Sequence, residues 1–418
     1  MKSKVLGSTL IIAGTTIGAG MLALPIASAG IGFGTSILLM FGLWALMAYT
    51  ALLMIELHQY ADHSATLHTL AKQILGDKGK YIASFAMLFL FYALCAAYIA
   101  GGGGQFADRL EMVFGVSLSP TLATLIFTLI VALTVTIGTH AVDKLNRVLF
   151  TLKLIAMGSV LFLLAPNVTQ GYLTSLPMQQ GLIVAAIPVV FTSFGFHGSI
   201  PAIVNYLEGD TKALRKAIVI GSSLPLVIYV FWQLVTLGVV QQETLVENSG
   251  LSNLITLLSS AVHVEKLATI IGVFADLALI TSFLGVSLGL FEYLRDLGSS
   301  KVSEKSSDNT FSKRAIAALV TFLPPLCFAL FYPQGFIMAL GYAAIALAIL
   351  AIFLPTVMIA KTRKVAVNAN QVSVKTEQGT VHYQTGGGQV ALYGAMLTGL
   401  VIVTAQLLVT FGVLPSLG

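Results

Sequence analysis

The chain has 418 residues, 57% of them hydrophobic and 9% charged, with a mean hydropathy of +0.92. A soluble domain carries about 25% charged residues, so a water-facing fold is excluded and lipid is the expected solvent. The net charge of +5 does not point to nucleic acid, because the basic residues stand in short clusters between apolar runs.

A bilayer core of about 30 Å asks for roughly 20 apolar residues of helix. By that measure the chain predicts eleven spans near 5–30, 35–57, 81–107, 120–139, 145–165, 182–206, 214–239, 267–292, 314–332, 335–360 and 388–413. The first run is longer than a signal-peptide core and lacks a convincing cleavage site, so it reads as a span that stays. Cys95 and Cys327 fall inside apolar runs and read as packing residues, with no disulfide or metal implied. Lysine and arginine collect on the cytoplasmic side of membrane proteins. With the N-terminus inside, 19 of the 22 basic residues lie in cytoplasmic segments, whereas Arg109 and Lys266 face outward and Lys153 lies within a span. The expected orientation is therefore N-terminus in the cytoplasm and C-terminus outside.

Two polar connectors carry little chemistry. Segment 57–80 holds His58, His63 and His68 at a spacing of five, which does not make a good ligand face on a helix. Segment 361–387 alternates enough in VSVKTEQGTVHY to suggest a small hairpin, and it reads as a cytoplasmic loop ahead of the eleventh span. No phosphate loop, zinc motif or nucleophile constellation is present, so no cofactor and no metal are expected.

The first span contains AGTTIGAGMLALP (13–25), with Gly14, Gly18, Gly20 and Pro25 where an unbroken helix is expected. The sixth contains FTSFGFHGSIP (191–201). Thr15-Thr16-Ile17-Gly18 aligns with Thr192-Ser193-Phe194-Gly195 at an offset of 177 residues, and Pro25 has its counterpart in Pro201. That offset corresponds to a five-span unit. Five is odd, so the second copy enters the membrane from the other side: residues 1–165 and 182–360 form an inverted repeat, followed by a helix at 388–413. Paired Gly/Pro-interrupted spans in two halves point to a transporter binding site. An unwound segment in hydrocarbon frees polar groups that cost several kcal/mol each unless satisfied. Its amides and the following half-helix suit a carboxylate, and its carbonyls suit an ammonium. The expected binding set is Gly14, Thr15, Thr16, Gly18, Ala19, Gly20, Phe191, Thr192, Ser193, Phe194, Gly195 and His197. Close helix packing through glycine is the competing explanation for each break taken singly.

The strings AGTTIGAGML, GLWALM, YTALL, IPVVFTSFGFHGS, FADLAL, TSFLGV, TFLPPLCFALFYPQGF and MALGYA run almost end to end. Through them the chain resembles the hydroxy/aromatic amino acid permeases of bacterial inner membranes. The resemblance implies an all-α polytopic membrane protein of LeuT-type fold. Helices 1 and 6 of its 5+5 inverted repeat would be discontinuous, and an eleventh helix would follow. It also implies proton symport of an aromatic amino acid, tyrosine first, by alternating access in the inner membrane. A sodium-coupled carrier and a passive facilitator of tryptophan or phenylalanine stay open. A membrane enzyme does not fit, because isolated ionisable groups make no active site.

Three ionisable residues stand out inside spans, where such groups are functional candidates. Lys153 is either a snorkelling lysine or, as in some proton-coupled relatives of this fold, a tethered cation in place of sodium. In sodium-coupled relatives the cation sits against hydroxyls of the eighth span, which Thr281 and Ser282 resemble. Asp276, about 15 Å along its helix from Lys266, is a partner for Lys153, a separate proton carrier, or a ligand of freed backbone. His197 is either a titrating group or a neutral structural histidine. For the substrate's ring, Phe191, Phe194 and Phe196 with Tyr92 and Tyr98 are compatible. For a phenol hydroxyl, Ser193, Thr281 and Ser282 are unranked candidates.

Overall fold

A computed structural model of the chain describes residues 2–175, 181–262, 267–299, 309–368, 375–376, 379–380 and 383–417. Lys266, Lys301, Lys305 and much of the 361–387 connector lie outside the described residues.

Apart from two short strands, the regular structure is helical. In chain order the helices are α1 (Lys2–Thr16), α2 (Gly20–Ser28), α3 (Phe33–His58), α4 (Leu67–Leu75), α5 (Asp77–Phe114), α6 (Pro120–Ile137) and α7 (Thr139–Leu164). Then come α8 (Gln170–Thr174), α9 (Leu182–Ser193), α10 (Ile200–Tyr206), α11 (Thr211–Val239), α12 (Gln242–Glu247), α13 (Leu251–Ser260) and α14 (Leu267–Ser299). The last are α15 (Asn309–Phe331), α16 (Phe336–Ala348), α17 (Leu354–Asn368) and α18 (Gly388–Thr410). Among the described residues ten segments are long and apolar enough to cross a bilayer, and α1 with α2 makes an eleventh, bent by 52°. The chain is an all-α polytopic membrane protein. The tight Tyr332–Gly335 turn separates α15 from α16, as the expected boundary required. Lys375–Thr376 and Gly379–Thr380 pair antiparallel, the small hairpin read from the alternation.

The long α5 is the central post, packed on α16, α14 and α6. Its run Gly101–Gly103 allows this approach: a Cβ on Gly102 would stand 2.4 Å from the Phe127 ring, and one on Gly103 would stand 2.2 Å from Thr124 Oγ1. Helices α1 and α2 lie inside the bundle, with Met21–Ser28 wholly buried, whereas α6 and α7 show broad apolar faces such as Leu129, Leu133, Ile155 and Phe162. Where water is absent, such faces belong to lipid.

The connector after α3 holds its histidines apart. His58 bonds the carbonyls of Met54 and Ala65, His63 packs against Gly209, and His68 bonds Ser84. Beside this connector lies an ion pair that hydropathy does not mark. Arg363 of α17 donates Nε to Glu56 Oε1 at 2.8 Å and Nη2 to Oε2 at 2.7 Å. Glu56 is 1% exposed and also accepts the Thr385 N–H. The clamp joins α3, α17 and the segment leading into α18.

Candidate functional site

Helix α1 stops at Thr16. Ile17 N–H still reaches Ala13 O at 2.8 Å, and the ladder then lapses until Met21 and Leu22 donate to Gly18 and Ala19. Two glycines explain where it lapses. A Cβ on Gly18 would meet Ser282 Oγ at 2.7 Å, and one on Gly20 would meet the Ser193 backbone at 3.2 Å. The bare backbone therefore admits α14 on one side and the end of α9 on the other, while glycine weakens the helix itself.

Side chains from four other helices answer the freed groups. Tyr229 of α11 donates to Thr16 O at 2.6 Å, with Ser193 O also in reach at 3.0 Å. Lys153 of α7 donates to Ile17 O at 2.8 Å and to Thr281 Oγ1 at 3.2 Å. Ser282 of α14 accepts the Ala19 N–H at 3.0 Å, and Ser193 donates to Gly20 O at 3.0 Å. This corrects the expectation that the free carbonyls of the first break face a ligand: at Thr16, Ile17 and Gly20 they are occupied by protein. The N–H groups of Gly18 and Gly20 have no acceptor among the described residues.

The second break complements the first. Helix α9 closes with Phe194 N–H on Phe191 O and Gly195 N–H on Thr192 O; a 3-10 turn over His197–Ser199 follows, and α10 starts with Pro201 in its first turn. The carbonyls of Phe194 and Gly195 accept no hydrogen bond among the described residues. One break thus leaves donors and the other leaves acceptors, which is the polarity a zwitterion requires.

Between the breaks lies a cavity of about 670 Å³. Its inner wall includes Gly18, Gly20, Ser193, Gly195, His197, Tyr98, Lys153 and Ser282. Its mouth lies between Leu10 and Ile11 of α1, 58% and 44% exposed, and Asn146, Arg147 and Phe150 of α7. Past Gly20, in the other direction, every residue of α2 is buried. The exposed end of the cavity is thus the one beside Leu10, Ile11 and Arg147, and the α2 end is packed.

Of the residues expected at the site, Gly14, Thr15, Thr16, Gly18, Gly20, Lys153, Thr192, Ser193, Gly195, His197, Thr281 and Ser282 line this cavity. Ala19 does not; its N–H is held by Ser282 and its side chain is buried. Phe191 is fully buried and Phe194 packs edge-on against Tyr229, ring centroids 5.3 Å apart, so both are packing residues. Tyr92 lies away from the cavity: its hydroxyl donates to Val320 O of α15 at 2.7 Å, and Tyr98, six residues on, faces the cavity instead. Asp276 is not the partner of Lys153. It accepts from Arg109 Nε at 2.8 Å, and Gly272, one turn earlier, gives the guanidinium its berth: a Cβ there would fall 1.7 Å from Arg109 Nη2. Lys153 is 2% exposed and pairs with no carboxylate among the described residues, its charge meeting Ile17 O, Thr281 and the Phe150 ring. Burial with three polar or aromatic partners removes the snorkelling explanation.

A cavity between two broken helices of a polytopic bundle suits a membrane transporter, and the family the chain matches is one of transporters and not of enzymes. Residues 1–406 match the tryptophan/tyrosine permease family, and the chain belongs to it. It is 43% identical to tyrosine-specific transport system 1 of Haemophilus influenzae over 417 residues and 42% identical to tyrosine-specific transport system 2 of that organism over 421, covering 99% of each protein in both cases. It is 34% identical to the tryptophan-specific transport protein of the same organism over 425 residues, with 97% of this chain and 96% of the relative covered.

Proposed function

We propose that the chain imports an aromatic amino acid, tyrosine by the names of the two relatives it matches at 43% and 42% identity, across the bacterial inner membrane by proton symport and alternating access. The two five-helix halves are read as a LeuT-type inverted repeat, residues 1–165 and 182–360, with α1–α2 and α9–α10 as its broken helices. The basic clusters favour a cytoplasmic side for the mouth beside Arg147, and on that reading this conformation faces inward.

The substrate carboxylate sits on the Gly18 and Gly20 N–H groups, and its ammonium sits on the Phe194 and Gly195 carbonyls. The observation that carries proton coupling is the Lys153 ammonium on Ile17 O and Thr281 Oγ1. Protonated, it holds the first break to α14. On losing its proton it keeps only a weak hold on Ile17 O, and the N-terminal half of α1 is released. Substrate and proton thereby act on one backbone segment, which is what coupling requires. A sodium ion would need the same carbonyl and hydroxyl, and the ammonium already occupies them; this favours the proton over sodium.

Purified protein in liposomes tests this. Labelled tyrosine should accumulate above its external concentration when an inward proton gradient is imposed without sodium. Equilibration without accumulation would make the chain a facilitator and end the coupled reading.

A further inference from the structure

We infer that His197 reads the substrate's side chain, its Nδ1 accepting a hydrogen bond from a donor such as the phenol hydroxyl of tyrosine. The inference rests on the amino acid reading given above and assigns a group that selects among aromatic substrates.

Buried polar atoms in folded proteins are almost always partnered, so an exception on a cavity wall needs a cause. His197 is 3% exposed and lines the inner cavity. Its Nε2 lies 2.9 Å from Thr50 Oγ1 of α3, and its Nδ1 has no partner among the described residues. We assign the Thr50 hydrogen to Met47 O, 3.3 Å away, so that Nε2 carries the ring hydrogen toward Thr50 and Nδ1 keeps a lone pair. The ring is fixed on both sides, by Thr50 and by Phe196 at 5.1 Å between centroids. A fixed imidazole with one bare acceptor is a prepared hydrogen-bond site.

The other polar side chains of the inner wall are engaged, the Tyr98 hydroxyl with Ser282 among them. Ser193 donates to Gly20 O and Val189 O, Ser282 holds the Ala19 N–H, Thr281 donates to Leu277 O, and Thr192 donates to Leu340 O. Among the described residues, the other cavity-lining side-chain atom that is buried and unpartnered is Asn146 Oδ1. It belongs to the mouth, two turns of α7, or about 10 Å, from Lys153. In contrast, His197 follows the open carbonyls of Phe194 and Gly195 by three and two residues. A substrate with its ammonium on those carbonyls has Nδ1 on the adjoining wall. A site that binds a hydroxyl in this way rejects the analogue lacking it, because the protein atom is then left bare.

Two variants separate this role from a structural one. In His197→Gln the amide nitrogen reaches the Nε2 position and keeps Thr50, but nothing replaces Nδ1. In His197→Asn the amide oxygen takes the Nδ1 position while the Thr50 bond is lost. The readout is the ratio of inhibition constants of phenylalanine and tyrosine against labelled tyrosine in liposomes. We expect His197→Gln to cut that ratio about tenfold, the worth of one neutral hydrogen bond, and His197→Asn to preserve it while total uptake falls. A ratio that survives in His197→Gln overturns the proposal. Wild-type protein gives an independent arm: 4-aminophenylalanine, which donates, should compete like tyrosine, and 4-fluorophenylalanine, which does not, like phenylalanine. Equal competition by the two analogues refutes the role of Nδ1, whereas absence of any tyrosine uptake refutes the transport reading beneath it.

Discussion

Lys153 shows how much one side chain can be asked to do. An ammonium with no carboxylate beside it is costly in a membrane interior, so its retention at 2% exposure calls for a function that needs a charge there. Lys153→Ala should abolish gradient-driven accumulation while tyrosine counterflow between equal pH compartments persists at a reduced rate. Accumulation unchanged in that variant would remove the lysine from coupling. The sequence did reveal this residue, because charge inside an apolar run is conspicuous. It did not reveal Tyr229, a tyrosine among thirteen, since its value lies in meeting the carbonyls of Thr16 and Ser193, 213 and 36 residues away.

At the scale of a helix, the breaks were legible and the facing of individual residues was only half read. Glycine and proline mark weak points locally, and both interruptions fall where those residues stand. Direction around a helix follows from about 100° per residue. Asp276 is five positions from Thr281, hence about 140° around α14, and it faces Arg109 rather than the cavity. Tyr92 and Tyr98 are six positions apart, about 120° around α5 by the same measure. Applied to the sequence, that arithmetic would have separated both pairs. The Arg109–Asp276 bridge, with side chains 18% and 20% exposed, then serves to join α5 to α14. Asp276→Asn should therefore keep proton-driven accumulation of tyrosine and lower the apparent unfolding temperature in detergent. Loss of accumulation with full folding would return Asp276 to the coupling path.

At the scale of the molecule, eleven spans could be counted from hydropathy alone, because a bilayer imposes a length that few other environments do. The closure of the bundle could not. Glu56 sits at the end of a span and looks like an ordinary interfacial acid until Arg363 and Thr385, 307 and 329 residues away in sequence, are brought against it. Removing one partner of a buried pair leaves the other charge stranded, at about 3–5 kcal/mol. Glu56→Ala should lower the unfolding temperature markedly, and Glu56→Gln with Arg363→Met should recover part of the loss. Equal stability of Glu56→Ala and wild type would show that the pair is solvated in the membrane.

Tyr229 has one hydroxyl hydrogen and two carbonyls within its reach, the last of α1 and the last of α9. It can serve only one of them fully at a time. Whichever helix end is left wanting becomes more electronegative toward anything arriving in the hollow below. The protein thus shares a single hydrogen between the ends of α1 and α9, and neither end can shift without changing what that hydrogen meets.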